Sequence, residues 1–451
     1  MGRATVPGNT TVDIPSFIDA QPVGAPQIRL LLTCAAVLFA DGFDTQAIGY
    51  VAPAIARDWA LPRGALGPVF SASLLGLMLG ALIFGPVADR IGRKRIITVS
   101  TAVFGLGTLA TMLATDTTGL LVIRFLTGLG LGGAMPNVVA LTAEYSPHRR
   151  RATMVMSMFC GFSVGAALGG LLAAGLIPVF GWRSVFLVGG VVPLLMVPVL
   201  VWALPESARL LALSHRLASG QADRRIAGLL TRLFPAEHFA PGTHFAAHEV
   251  PLTGLPVLHL FRERRAATTV LLWVVFFMSL LDLYFLSNWL PTVMNDLGAT
   301  DSQAAVIGSM LQVGGVCGTV MLGQLIDRFS FRALGVIYVL AAAAIAAIGY
   351  STHTPLLAGI AIFASGFCIV GGQIASNALA ATFYPTSIRA TGVGWSLGIG
   401  RIGSIIGPLV GGALLAQHWA AQPLFLAAAL PALIAALAAL ALAARPRGGA
   451  A

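Results

Sequence analysis

The chain has 451 residues, of which 57% are hydrophobic and only 10% charged, with a mean hydropathy of +0.87. That composition excludes a water-soluble globular surface and points to a polytopic helical membrane protein. The formal net charge is +10, and arginine supplies nearly all of the positive charge. Its placement, set out below, makes it a topology signal, so no nucleic-acid partner is expected.

Residues 1–27 are polar and carry Pro and Gly. They lead directly into a full-length apolar run, so no cleavable signal peptide is expected. Apolar windows long enough to cross about 30 Å of hydrocarbon as helix fall near 28–50, 65–88, 96–114, 118–143, 153–178 and 184–203. Six more fall near 266–293, 303–326, 333–350, 355–382, 390–416 and 420–443. The expected fold class is therefore all-α membrane protein with twelve transmembrane helices in two six-helix repeats. The expected organisation is an N-terminal tail (1–27), a first bundle (28–203), a linker (204–265), a second bundle (266–443) and a C-terminal tail (444–451). The linker reads as a surface tether with a basic helical stretch to Arg232 and a coil from Pro235 to Pro256.

A repeat offset of 238 residues runs through the chain. It relates Gly85, Asp89 and Arg90 to Gly323, Asp327 and Arg328, Arg151 to Arg389, and Gly165 and Gly169 to Gly403 and Gly407. Two such bundles imply a pathway between them near the membrane midplane. Basic residues gather in the loops on the side of both termini, while Arg57, Arg63 and Arg183 alone fall in loops on the other side. The positive-inside rule thus places both termini in the cytoplasm.

Five charged residues lie deep within the apolar spans: Asp41, Asp44, Arg124, Asp282 and Arg401. Each costs about 2.5–3.5 kcal/mol at a lipid-facing midplane, so each should face a pathway or a partner. At 1.5 Å per residue, Asp41 and Asp44 lie roughly 20–24 Å into span 1, and Arg124 roughly 9 Å below the opposite surface. All three then share a depth, with the two carboxylates on one helix face. They are expected to form a proton and anion site, in which an anion bound to arginine frees an Asp to take up a proton. Asp282 stands at the repeat offset from Asp44, as a substrate-tuning or coupling residue. Arg401 has no counterpart, since the offset lands on Ser163, and its planar fork suits a substrate carboxylate. Phe43, Trp395, Gln312 and Gln373 are candidates to stack on and hydrogen-bond an aromatic ring.

No histidine falls inside a span, and Cys34, Cys160, Cys317 and Cys368 lie in apolar runs without metal-ligand spacing. Neither a metal nor another cofactor is expected, and a membrane enzyme lacks a nucleophile–base pair at depth. A transport-like sensor would need an output domain for which the linker and tails offer little material.

Three motifs carry a family resemblance over nearly the whole chain. Gly85, Asp89, Arg90, Gly92, Arg93 and Lys94 match the loop 2–3 signature; Arg124, Gly128 and Gly130 match that of span 4; and Pro205-Glu206-Ser207 follows span 6. The chain resembles the major facilitator superfamily. Asp41-Gly42-Phe43-Asp44 further resembles its aromatic acid:proton symporter family. The resemblance implies proton-coupled import of a benzoate-like anion by a single chain in a bacterial inner membrane. It also implies a conformational gate at Gly85, Asp89, Arg90, Gly92 and Arg93, with Glu144 and Arg151 as partners and a weaker echo at Asp327 and Arg328. Sugar or polyol porters and cationic drug antiporters are the rivals; a cavity arginine disfavours both.

Overall fold

A computed structural model describes residues 4–6, 10–213, 219–235, 237–247, 260–261, 265–351, 354–384 and 389–445. Six long helices form the first half: α2 (Ala25–Asp58), α3 (Gly67–Ile91), α4 (Arg93–Thr111), α5 (Thr117–Glu144), α6 (Arg151–Phe180) and α7 (Arg183–Ala203). Before them comes the short α1 (Ile14–Ala20), and after them α8 (Ala208–Leu213) and α9 (Ser219–Leu233). The second half comprises α10 (Ala266–Asp296), α11 (Asp301–Phe329), α12 (Phe331–Tyr350), α13 (Pro355–Phe383), α14 (Arg389–Ala416) and α15 (Ala421–Ala444). The starts of α4, α5, α6 and α7 recur 238 residues later at α12, α13, α14 and α15, so the sequence repeat is a repeat of helices.

Among the described residues ten helices are long and apolar enough to span a membrane, and α1 with α2 forms a further pair bent by 108°. The helix that fails is α4. Arg93, Lys94 and Arg95 occupy its first turn, and its Thr residues dilute the apolar run. Most of those hydroxyls are satisfied locally: Thr98, Thr101 and Thr111 each donate to the carbonyl four residues back. Such bonding lets a polar helix sit in hydrocarbon without exposed donors.

Close crossings are built from glycine, as expected where helices must associate without a hydrophobic drive. On α3 and α5 a methyl at Gly76, Gly80, Gly128 or Gly132 would strike the backbone of the facing helix. At the repeat offset, Gly314 and Gly318 of α11 and Gly366 of α13 do the same. Side-chain caps fix where helices start. Asp116 accepts the Gly119 N–H at 2.8 Å, and Thr300 and Gln303 exchange reciprocal bonds at the head of α11, a capping box.

The tail and linker are more ordered than a plain tether. Strand β1 (Ala4–Val6) pairs in parallel with β3 (Glu237–Phe239), and β2 (Thr11–Asp13) with β4 (His244–Ala246). Ile14, Ile18, Ile226, Leu230 and Phe234 are buried in a cluster continuous with the first bundle, and Phe17 meets Phe234 edge-on at 5.5 Å. The tail supplies the apolar partners that the linker lacks in isolation. Of the expected coil from 235 to 256, residues 236 and 248–256 lie outside the described residues.

Alternate helix directions define two faces of the molecule: the terminal face, carrying the tails and linker, and the opposite face. Contacts between the halves run from the opposite face to mid-depth. Arg57 pairs with Asp301, and Arg63 with Asp296 at 3.3 Å. Phe70 meets Trp289 with ring centroids 5.0 Å apart, and the Ser71 hydroxyl donates to the Ile405 carbonyl at 2.7 Å. Deepest along this seam, Arg401 of α14 reaches Met135 of α5, Nη2 to Sδ at 3.4 Å.

Candidate functional site

Arg124 on α5 meets Asp44 on α2 through two parallel bonds of 2.9 Å, with both side chains fully buried. Thr108 of α4 donates to the same carboxylate at 2.6 Å. This is a closed ion pair inside the first bundle, in which both carboxylate oxygens are engaged and only the Arg124 Nε lacks a partner. Asp41, one helical turn earlier, behaves differently. It accepts from Thr45 at 3.1 Å, its Oδ2 has no partner, it is 0% exposed, and the charge it feels from across the seam is that of Arg401. The expected carboxylate pair is therefore divided between two arginines.

Arg401 bridges the halves, with Nη1 on the Tyr284 hydroxyl at 3.2 Å and Nη2 on Met135. Neither contact neutralises its charge. A guanidinium held by a phenol and a thioether retains donors for an anion. Tyr284 was not among the sequence candidates; its place, two residues past Asp282 on α10, carries no sequence signal.

The amide and ring candidates separate. Gln373 on α13 is buried with neither amide atom partnered, and Asn377, one turn on, has an unpartnered Oδ1. Gln312 on α11 already donates to the Ser287 hydroxyl at 3.3 Å. Phe43 is a correction: its ring packs inside the first bundle against α6 and α7, where a Cβ at Gly189 would lie 2.8 Å from it. Trp395 is another. It is 45% exposed and stacks on Trp273 with centroids 5.9 Å apart, so it lines the outside of the second bundle and not a pathway. Asp282 lies within the second bundle, near Tyr338 of α12, and both its oxygens lack partners.

Several of the residues expected to form a gate join in a network on the terminal face. Gly92 joins α3 to α4 at φ +108°, where a side chain would be strained and would also collide with the Glu206 carboxylate,. Arg93 bonds Glu144 at 2.9 Å and approaches Asp89 at 3.8 Å. Glu144 also accepts from the Ser207 hydroxyl and the Arg209 N–H. Glu206 accepts the Lys94 N–H at 3.3 Å, so the loop 2–3 signature and Pro205-Glu206-Ser207 lock together. Arg151 departs from the expected set, pairing with Asp19 of the tail at 3.6 Å. Among the described residues Asp89 pairs only with Arg93, while Arg90 is exposed and Gly85 has open space around it. Arg328 lies over its neighbour Phe329 at 5.2 Å, and the Asp327 side chain lies outside what is described. A hollow of about 980 Å³ opens on the opposite face beside Arg57, Trp182, Arg183 and Asp301. Its arginines are already paired, with Asp301 and Asp58, so it offers no free cation.

Two six-helix repeats with charges buried along their seam define a multi-pass membrane transporter. The chain belongs to the major facilitator superfamily, whose family model matches residues 34–271 and 272–451; it is a transporter, not an enzyme. It is 43% identical over 437 residues to the 4-hydroxybenzoate transporter PcaK of Pseudomonas aeruginosa, covering 96% of each chain. It is also 43% identical over 438 residues to the gallate transporter of Pseudomonas putida, again covering 96% of both. Among solved structures, a bacterial homologue of the human lysosomal transporter Spinster superposes with a TM-score of 0.71 at 18% identity, covering 94% of this chain and 98% of that one.

Proposed function

We propose that the chain imports an aromatic carboxylate of the benzoate, hydroxybenzoate or gallate type together with protons, by alternating access. The observation that carries the reading is the buried Asp41, with its free Oδ2, lying within electrostatic reach of Arg401 across the seam. One is a carboxylate with a free oxygen, the other a cation without a carboxylate partner. A substrate anion seated on Arg401 withdraws that positive charge from Asp41, which then takes a proton from the side open to water. The loaded, neutralised site is the form able to cross, because the cost of a buried unpaired charge is removed. Names of the relatives support an aromatic acid as the solute. Gln373 and Asn377 are suited to the ring hydroxyls that distinguish such acids.

In this reading the terminal face lies in the cytoplasm of a bacterial inner membrane, and the working unit is one chain. The halves meet along the opposite face, so the conformation is one closed to the outside. The Gly92–Arg93–Glu144–Glu206 network moves with the first bundle as its rigid terminal end, and Asp89 engages the second bundle in the alternate state. Uptake of labelled 4-hydroxybenzoate into proteoliposomes tests the proposal: accumulation is expected with an imposed inward proton gradient, and none when neither a pH gradient nor a membrane potential is imposed. Equal uptake of the neutral amide would overturn the role of Arg401.

A further inference from the structure

Asp282 has a counterpart in the repeat. At the 238-residue offset it matches Asp44, and α10 matches α2. In the first half Asp44 is held by Arg124 and Thr108. In the second half the corresponding positions are Ile362 and Ala346, hydrocarbon in place of a guanidinium and a hydroxyl. The second half carries the carboxylate without either partner. Asp282 is 0% exposed, and neither oxygen has a hydrogen-bond partner.

What surrounds it is hydroxylic. Tyr338 of α12 lies close enough to feel its charge and sits beside Ser279, one turn before Asp282 on α10. The Tyr338 hydroxyl is in turn 3.1 Å from that of Ser376 on α13. Charged and titratable groups on the other helices against α10 are engaged elsewhere: Arg401 with Tyr284 and Met135, Asp44 with Arg124, Asp41 with Thr45. At membrane depth α11 and α13 bring only Cys317 and Cys368, and α15 has no titratable side chain. A bare carboxylate in this place is untenable as an anion, but a protonated one is a neutral group that can bond a hydroxyl neighbour.

We propose that Asp282 is a second proton-carrying site, which makes import electrogenic: two protons enter with each monovalent aromatic anion. One proton rides on Asp41 and the other on an oxygen of Asp282. The second is sealed from water in the conformation described here and is exchanged with water in the alternate one. This rests on the symport reading above, and its consequence is a net positive charge moved inward per cycle.

The test uses the full chain in proteoliposomes with labelled 4-hydroxybenzoate, with pH gradient and membrane potential imposed independently. At the limit, a unit of pH raises wild-type accumulation about 100-fold, and 100 mV, inside negative, raises it about 50-fold. Asp282→Asn is expected to respond about tenfold per pH unit and not at all to potential. Wild type driven by pH but indifferent to potential overturns the second site alone, as does Asp282→Asn that keeps its response to potential. A requirement for sodium in place of protons overturns it as well. If Asp282→Asn does not insert, protons counted per substrate in wild type decide: two uphold the proposal, one defeats it. No accumulation of wild type under a pH gradient would instead defeat the symport reading itself.

Discussion

Asp41 and Asp44 are three residues apart, on one helix, with identical chemistry, and their surroundings assign them different work. Asp44 gives both oxygens to Arg124, so Asp44→Asn leaves a buried guanidinium half-compensated, a loss of about 3–5 kcal/mol. A lowered melting temperature of the purified protein is the expected reading. Asp41→Asn should instead leave the melting temperature close to wild type and abolish accumulation driven by a pH gradient. Normal accumulation by that variant would place the proton elsewhere. Arg401 permits a finer test, since Arg401→Ala removes a charged donor and should weaken acid binding about ten- to hundredfold. Arg401→Lys should fall in between, because the charge stays and the fork is lost. Unchanged affinity in titration calorimetry with 4-hydroxybenzoate would make the arginine structural.

At the scale of elements, the faces of α10 and α14 separate packing from pathway. Trp395 and Arg401 share α14, yet one stacks outside on Trp273 and the other reaches across the seam. Trp395→Ala should therefore leave the Kd for 4-hydroxybenzoate within about twofold, the scale of an exposed surface change. The α3–α4 turn is the opposite case. Gly92 has a backbone that disfavours a side chain, and a methyl there would press on Glu206. Gly92→Ala should slow turnover while substrate affinity holds, because the turn joins the gate to Pro205-Glu206-Ser207 and does not touch the seam. Transport rates compared with equilibrium binding separate the two effects.

Across the whole molecule, the proposed alternation depends on how firmly the opposite face is closed in the conformation described. On the opposite face the pairs Arg57–Asp301 and Arg63–Asp296 are partly exposed, so each contributes at most about 1 kcal/mol. Asp301→Asn should shift the population toward opening at that face by no more than about fivefold. Spin-label distances between the opposite-face ends of α2 and α11 would record it as a growing longer-distance component. A population unmoved by Asp301→Asn together with Asp296→Asn would leave the seam glycines and Phe70–Trp289 as the seal.

The sequence by itself determined the class of fold and its duplication. Span length, the 238-residue offset and the arginine bias are one-dimensional properties, set by hydrocarbon thickness and by helix-internal hydrogen bonding. The motif residues Gly92, Arg93 and Glu144 were legible for the same reason, being local to turns. Only the tertiary structure decided how the buried charges pair. Helix phase put Asp44 on Arg124, left Asp41 within reach of the Arg401 charge, sent Phe43 into the first bundle and Trp395 to the outer surface of the second, and set Asp282 near Tyr338. Depth along a helix can be counted from residues, but azimuth depends on which neighbours a helix meets and at what rotation. A side chain's partner, and with it the assignment of proton and substrate sites, is fixed by that azimuth.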